Sequence, residues 1–225
     1  MAIWLTLCGT IVVIAYLLGS FPTGYIAVKL LKGIDIREVG SGSTGATNVL
    51  RTLGKGPGAF VLVLDALKGV LAIALVYWLF NFNQIQNYIP PTIDAQAWQP
   101  WVLTLAGLAG ILGHSKSIFL GFTGGKSVAI SLGILLTMSW QVGLATVGVF
   151  AVVVAISRIV SLSSIAGAIA VPIFMVLLHQ PLPYILFGIA GGLYVILRHR
   201  TNIERLLAGT EPKIGQNVGT PEQTT

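Results

Sequence analysis

The sequence predicts an all-α integral membrane protein of about seven transmembrane helices, with the N-terminus outside and the C-terminus cytoplasmic. Three observations carry that prediction. Of 225 residues, 55% are hydrophobic and only 9% are charged, with a mean hydropathy of +0.87. Soluble domains carry roughly 25% charged residues. Apolar runs long enough to cross a bilayer recur along the chain and are continuously apolar, which favours helices over the alternating strands of a barrel. Finally, basic residues and tryptophans sort into opposite sets of connections.

The candidate spans are about 3–30, 57–80, 98–114, 127–140, 142–158, 163–178 and 182–198. The first lacks the basic start of a cleaved signal and is read as a retained helix, kinked or shortened at Pro22. The third is short. The run from Val128 to Ile156 is too long for one span, and its polar Ser139-Trp140-Gln141 places a turn. Residues 1–208 form one polytopic domain, followed by a polar tail at 209–225 that is expected to be disordered and without chemistry.

Lys29, Lys32, Arg37, Arg51, Lys55, Lys116, Lys126, Arg158, Arg198, Arg200, Arg205 and Lys213 all fall in odd-numbered connections or after the last span. The positive-inside bias makes that side cytoplasmic. Trp4, Trp78, Trp98, Trp101 and Trp140 map to the opposite side, as an interfacial belt would. The 13 basic against 7 acidic residues therefore reflect topology, and no nucleic-acid partner is expected. Cys8 is a lone cysteine and excludes an intrachain disulfide.

Two glycine-rich islands lie on the basic side. Gly40-Ser41-Gly42-Ser43-Thr44-Gly45-Ala46-Thr47-Asn48 runs into Arg51, and Thr123-Gly124-Gly125-Lys126-Ser127 opens a later helix. Bare amides, short hydroxyls and a fixed cation suit phosphate. The first island matches G-x-G-x-x-G formally, but no βαβ unit surrounds it, so a dinucleotide fold is excluded. The second misses the P-loop spacing, because Leu120 stands where glycine is required.

Asp65 and Lys68 sit one turn apart inside an apolar span and are read as a neutralised pair that braces the site. His114 adjoins the second island, where packing and phosphate contact are equally open. His199 and Asn202 are one turn apart at the end of the last span and can face one pocket. The H-x4-E spacing from His199 to Glu204 is taken as chance. Arg158, with Ser161 and Ser164, offers a third side for an anion pocket. Three scattered histidines predict no metal site, and no cofactor is expected.

Taken together, Gly40–Arg51, Gly113-His114 through Ala129, Arg158–Ile165 and Arg198–Ile203 resemble the motifs of the bacterial acyl-phosphate-dependent glycerol-3-phosphate acyltransferase family. The resemblance spans nearly the whole chain outside 81–99 and the tail. Ser43, Ser127 and Lys116-Ser117 depart from the family's usual Asn, Gly and Phe-Pro, without removing a cation. The resemblance implies transfer of a fatty acyl group from acyl phosphate to the sn-1 hydroxyl of glycerol 3-phosphate, giving lysophosphatidic acid for phospholipid synthesis at the bacterial inner membrane. Its partners would be those two substrates and membrane lipid, with the oligomeric state left open, a monomer included.

On this reading Ser41, Arg51 and Lys126 hold the glycerol phosphate. Amides around Gly40, Gly42, Gly124 and Gly125 approach phosphoryl or carbonyl oxygens, and Thr47 and Asn48 orient polar atoms. His199 and Asn202 position the attacking hydroxyl or serve acid/base chemistry. No Ser-His-Asp arrangement is visible, so direct transfer without an acyl-enzyme is expected. The rival reading is a transporter of a small organic phosphate built on broken helices. It predicts polar groups at mid-membrane and internal symmetry, whereas the polar islands cluster at one face.

Overall fold

The computed structural model describes residues 1–216, and among these the chain is helical without a strand. Eleven helices follow in order: α1 Ala2–Ser20, α2 Thr23–Lys32, α3 Ala46–Leu53, α4 Lys55–Asn81, α5 Asn83–Gln86, α6 Ala95–Ser115, α7 Val128–Met138, α8 Trp140–Ser157, α9 Val160–Leu177, α10 Leu182–Arg198 and α11 Arg200–Leu207. Pro22 divides the first apolar run at the expected place. Ser139 divides α7 from α8 as its polar character predicts.

Four helical stretches are long and apolar enough to cross a membrane, or five if the bent pair α10–α11 is one span. The seven predicted segments are all helical, but α7 is only 11 residues. At 1.5 Å per residue it rises about 16 Å, half the hydrocarbon core. α8 returns from the same turn with 18 residues, so it extends about 10 Å beyond the start of α7. The second island, which precedes α7, is thereby drawn inward from the ends of the neighbouring helices.

Glycine sets the closest helix crossings. A Cβ on Gly19 of α1 would strike the Gly110 carbonyl of α6, and one on Gly133 of α7 would strike the Ala66 carbonyl of α4. Small residues let backbones touch where lipid offers no hydrophobic drive. The core of these crossings includes Trp4, Ile73, Leu79, Leu103, Ile130, Ile134 and Met175. Trp4 corrects one expectation. It is fully buried and packs edge-on against Phe80 at 5.1 Å, so it belongs to the core and not to an interfacial belt. Trp78, Trp101 and Trp140 are exposed.

A second, smaller cluster of Val28, Ile36, Val49 and Val61 ties α2 and α3 to the flank of α4. It holds the first island against the bundle.

Candidate active site

A cavity of about 360 Å³ opens at the end of the bundle where α3, α4, α7, α9 and α11 meet. Its wall takes Ser41, Thr47, Asn48 and Arg51 from the first island, Asp65 from α4, and His114 from α6. Lys126 comes from the second island, Ser161 and Ser164 from α9, and His199 and Asn202 from the last bend. The two islands and the C-terminal motif thus converge, although up to 158 positions separate Ser41 from His199.

The first island is a loop folded around one amide. Asn48 is buried, and its Nδ2 donates to the carbonyls of Ser43 at 2.9 Å, Val39 at 3.0 Å and Ile36 at 3.3 Å. Its Oδ1 accepts from the Ser41 N–H at 3.1 Å. Gly40 and Gly42 adopt left-handed φ of 60° and 65°, and a Cβ on Gly40 would strike Asn48 Oδ1. These findings give both glycines a structural part in the loop. Gly40 and Gly42 do not line the cavity, and Gly42 N–H bonds to the Val39 carbonyl at 3.1 Å. They shape the turn around Asn48, whose side chain is occupied by the loop rather than turned to a ligand.

What the loop presents is the start of α3. Gly45 caps it, and Ala46 and Thr47 line the cavity beside Arg51. Val128 and Ala129 bring the N-terminus of α7 to the same space. Leading amides lack intrahelical acceptors, and two helix dipoles present positive ends to one volume. Arg51 is exposed within this wall.

Gly124 and Gly125 have a similar structural part. Neither lines the cavity, and the Gly125 N–H donates to the His114 carbonyl at 3.1 Å. A Cβ at Gly124 would strike the His114 carbonyl, and one at Gly125 would strike His114 Nε2. Both glycines allow the turn to lie against the end of α6. Arg198 donates to the Gly125 carbonyl at 3.2 Å from the other side. Ser127 follows with φ 65° and donates to the Ile111 carbonyl at 2.9 Å. The turn is therefore held at three points, and Lys126 projects from it.

Lys126 Nζ donates to Asn202 Oδ1. Burial pushes the ammonium down to about 8, and the nearby cations Arg205, Arg51 and Arg198 act in the same direction against the attraction of Glu211. Asn202 Nδ2 in turn donates to Glu211 Oε1 at 2.6 Å. Ser161 donates to that oxygen at 2.7 Å, and Arg205 Nε donates to Oε2 at 2.7 Å. Burial would raise the Glu211 carboxyl, but the three hydrogen bonds prevail and hold it below the ordinary range.

Glu211 departs from the expectation that the chain is disordered from position 209. It is buried and lines the cavity. Residues 217–225 of that expected tail lie outside the described residues. The only signal in the sequence was an acidic residue amid Arg198, Arg200, Arg205 and Lys213. Arg158 is also corrected. It does not line the cavity; its carbonyl accepts from Ile214 N–H at 2.8 Å and its guanidinium donates to the Ile214 carbonyl at 3.3 Å. Arg158 thus anchors the segment that delivers Glu211. Glu204 is exposed and does not line the cavity.

His199 is buried, with Nδ1 2.7 Å from the Val195 carbonyl. A carbonyl only accepts, so Nδ1 carries the proton and Nε2 is left as a lone-pair acceptor. Ser164 lines the cavity, but its hydroxyl donates to the Val160 carbonyl at 2.9 Å. Asp65 and Lys68 form a 2.6 Å ion pair, and Lys68 also donates to the Phe21 carbonyl at 2.6 Å and to Thr23 Oγ1 at 3.0 Å. The carbonyl freed at the α1–α2 break is thereby capped. The pair braces α1, α2 and α4, and Lys68 itself does not reach the cavity. Lys55 and Ser43 line it and were missed as site residues.

The lining also takes apolar side chains from Leu50, Leu62, Phe150 and Val160. Among the described residues no cluster of His, Cys, Asp and Glu has the arrangement to hold a metal.

Comparison with known proteins agrees with this architecture. The family described as glycerol-3-phosphate acyltransferase matches residues 9–209. A glycerol-3-phosphate acyltransferase of Trichormus variabilis is 83% identical over 98% of this chain and 97% of its own length. One from Acaryochloris marina is 56% identical over the full length of both. Crystal structures of PlsY (YgiH), an integral membrane glycerol 3-phosphate acyltransferase, are 38% identical and cover 92% of this chain. The glycerol 3-phosphate form superposes with a TM-score of 0.80 over 96% of that chain, and the lysophosphatidic acid form with 0.78 over 95%. The chain therefore belongs to the glycerol-3-phosphate acyltransferase family, as an integral membrane protein.

Proposed function

We propose that this protein transfers a fatty acyl group from acyl phosphate to the sn-1 hydroxyl of glycerol 3-phosphate, forming lysophosphatidic acid and inorganic phosphate. The observation that carries this reading is the cavity itself: three cations, two helix N-termini and a histidine acceptor share its lining with apolar side chains. That combination suits two phosphate groups and one hydrocarbon chain.

Arg51 and Lys126 hold the glycerol phosphate, with Ser41 beside them, and Arg51 supplies a two-pronged contact. The amides opening α3 and α7 stabilise negative charge on the acyl phosphate as it reacts. The acceptor hydroxyl oxygen attacks the acyl carbonyl carbon, the bond from that carbon to the phosphate oxygen breaks, and phosphate leaves. His199 Nε2 receives the hydroxyl proton. Acyl phosphate is already activated, so positioning and electrostatics suffice and no acyl-enzyme is needed. Leu62 and Phe150 flank the path by which the chain reaches lipid.

In this reading the chain passes the bacterial inner membrane seven times, α7 and α8 forming a short pair, with the N-terminus outside and the cavity on the cytoplasmic face. The clustering of basic residues at the cavity end supports that orientation.

The test is conversion of labelled glycerol 3-phosphate to lipid by the purified protein in liposomes, with acyl phosphate, acyl-CoA or acyl carrier protein as donor. Acyl phosphate alone should support product. Turnover with another donor and none with acyl phosphate would overturn the donor assignment, while uptake without conversion would return the transporter reading.

A further inference from the structure

Behind the main cavity lies a separate pocket of about 10 Å³, bordered by Ser20, Thr23, Asp65, Lys68, His114 and Ser117. Most of its polar atoms are matched. Asp65 Oδ1 accepts from Thr23 Oγ1 and Lys68 Nζ. Lys68 uses its three protons on Asp65, Thr23 and Phe21. Ser117 donates to the Ser20 carbonyl at 2.5 Å.

Two atoms are not. Asp65 Oδ2 and Ser20 Oγ are buried and have no partner among the described residues, in side chains of residues each 1% exposed. His114 borders the same pocket. His114 Nδ1 stands 3.9 Å from Asp65 Oδ1, beyond direct hydrogen-bond reach. The pocket has the volume of about one water, and a buried water needs two to four polar partners. A cation is disfavoured, because the Lys68 ammonium already borders the same space.

We propose that this pocket binds one structural water, which donates to Asp65 Oδ2 and Ser20 Oγ and accepts from His114 Nδ1. The bridge makes Asp65 and Ser20 positioning residues for the second island. His114 is the intermediary. Its ring lies between the pocket and Gly125, and its carbonyl receives the Gly125 N–H. A ring fixed at Nδ1 fixes the surface on which the Gly124-Gly125 turn rests, and so the direction from which Lys126 enters the cavity. The kinetic consequence rests on the reading of Lys126 as a phosphate ligand; the water site does not.

The test has two arms. A crystal structure of the full chain that orders waters should show one density peak within hydrogen-bond distance of the three atoms. An empty pocket, or a direct His114–Asp65 bond, would overturn the site. Kinetically, Ser20→Ala removes one partner without adding bulk. It should raise the glycerol 3-phosphate KM by about three- to tenfold, with kcat little changed. A merely structural serine would lower the thermal midpoint and leave KM alone. Ser20→Ala placed in a His114→Gln background should add no further KM change, and full additivity would overturn the relay. Normal kinetics in Lys126→Ala would refute the phosphate reading and leave the crystallographic arm standing.

Discussion

Lys126 and Asn202, 76 positions apart, are joined by a hydrogen bond whose direction is set by a third residue. Glu211 accepts from the Asn202 amide nitrogen, so the amide oxygen must turn toward the lysine. The bond holds an ammonium at the cavity wall without neutralising it, since its acceptor is an uncharged carbonyl.

That ammonium should be indispensable to acceptor binding. Lys126→Ala and Arg51→Ala should each lower kcat/KM for glycerol 3-phosphate by roughly 10- to 100-fold, the value of a charge-assisted hydrogen bond in a partly buried site. Steady-state kinetics on protein of unchanged expression and thermal midpoint would check this.

The pH profile should carry the lysine's signature. Its charged form is the protonated one, and burial lowers its pKa from 10.5 to about 8. Charge is therefore lost as pH rises through about 8. The kcat/KM for glycerol 3-phosphate, which reports the free enzyme, should fall above that value. Lys126→Arg keeps its charge past pH 12, so whatever activity it retains should lack this alkaline limb.

Glu211→Ala should leave Asn202 and Ser161 without their buried acceptor and Arg205 without its ion-pair partner. A cost of about 1–3 kcal/mol follows, seen as a lower thermal midpoint together with a raised acceptor KM. The pH sign runs the other way from Lys126. Glu211's carboxyl is held below its ordinary range, so its contribution is present at neutral pH and is lost as pH falls through the depressed value. The variant should accordingly show less acid destabilisation than the parent between neutral pH and that point.

Asn48→Ala should abolish activity while the membrane core stays folded. It removes the donor to three loop carbonyls and the acceptor of the Ser41 N–H. Asn48→Asp should fail nearly as badly, because a carboxylate cannot donate. Circular dichroism unchanged in the helical region, with no turnover, would establish the loop-shaping role. Full activity in Asn48→Ala would refute it.

Much of the fold was legible because membrane helices declare themselves by local composition. Pro22 and Ser139 marked helix breaks by chemistry that acts on adjacent residues. The basic residues gathered at one end for the same reason of local solvation. Trp4 failed this logic, since an indole at a helix end satisfies a belt and a core equally well until Phe80 of another helix is placed against it.

Site residues divided along a similar line. Arg51, Lys126, His199 and Asn202, which line the cavity, stood out in the sequence as polar chemistry in an apolar chain. Gly40, Gly42, Gly124 and Gly125 stood out equally, but the reason for them was invisible. Glycine is demanded by a ligand's approach and by a protein neighbour's approach alike, and here the neighbours are the Asn48 side chain for Gly40, the Arg37 carbonyl for Gly42, and the His114 carbonyl and ring for Gly124 and Gly125. Glu211 was hidden because its partners, Ser161 and Asn202, lie 50 and 9 positions away.

The sequence by itself determined a helical membrane protein with two polar, glycine-rich islands between its apolar segments, because hydropathy and charge act through solvation of each segment separately. Only the tertiary structure decided which polar groups line the cavity and which are used up by the protein itself. Hydrogen-bond capacity is saturable, and which groups saturate depends on helices brought together by close glycine crossings that no local pattern encodes.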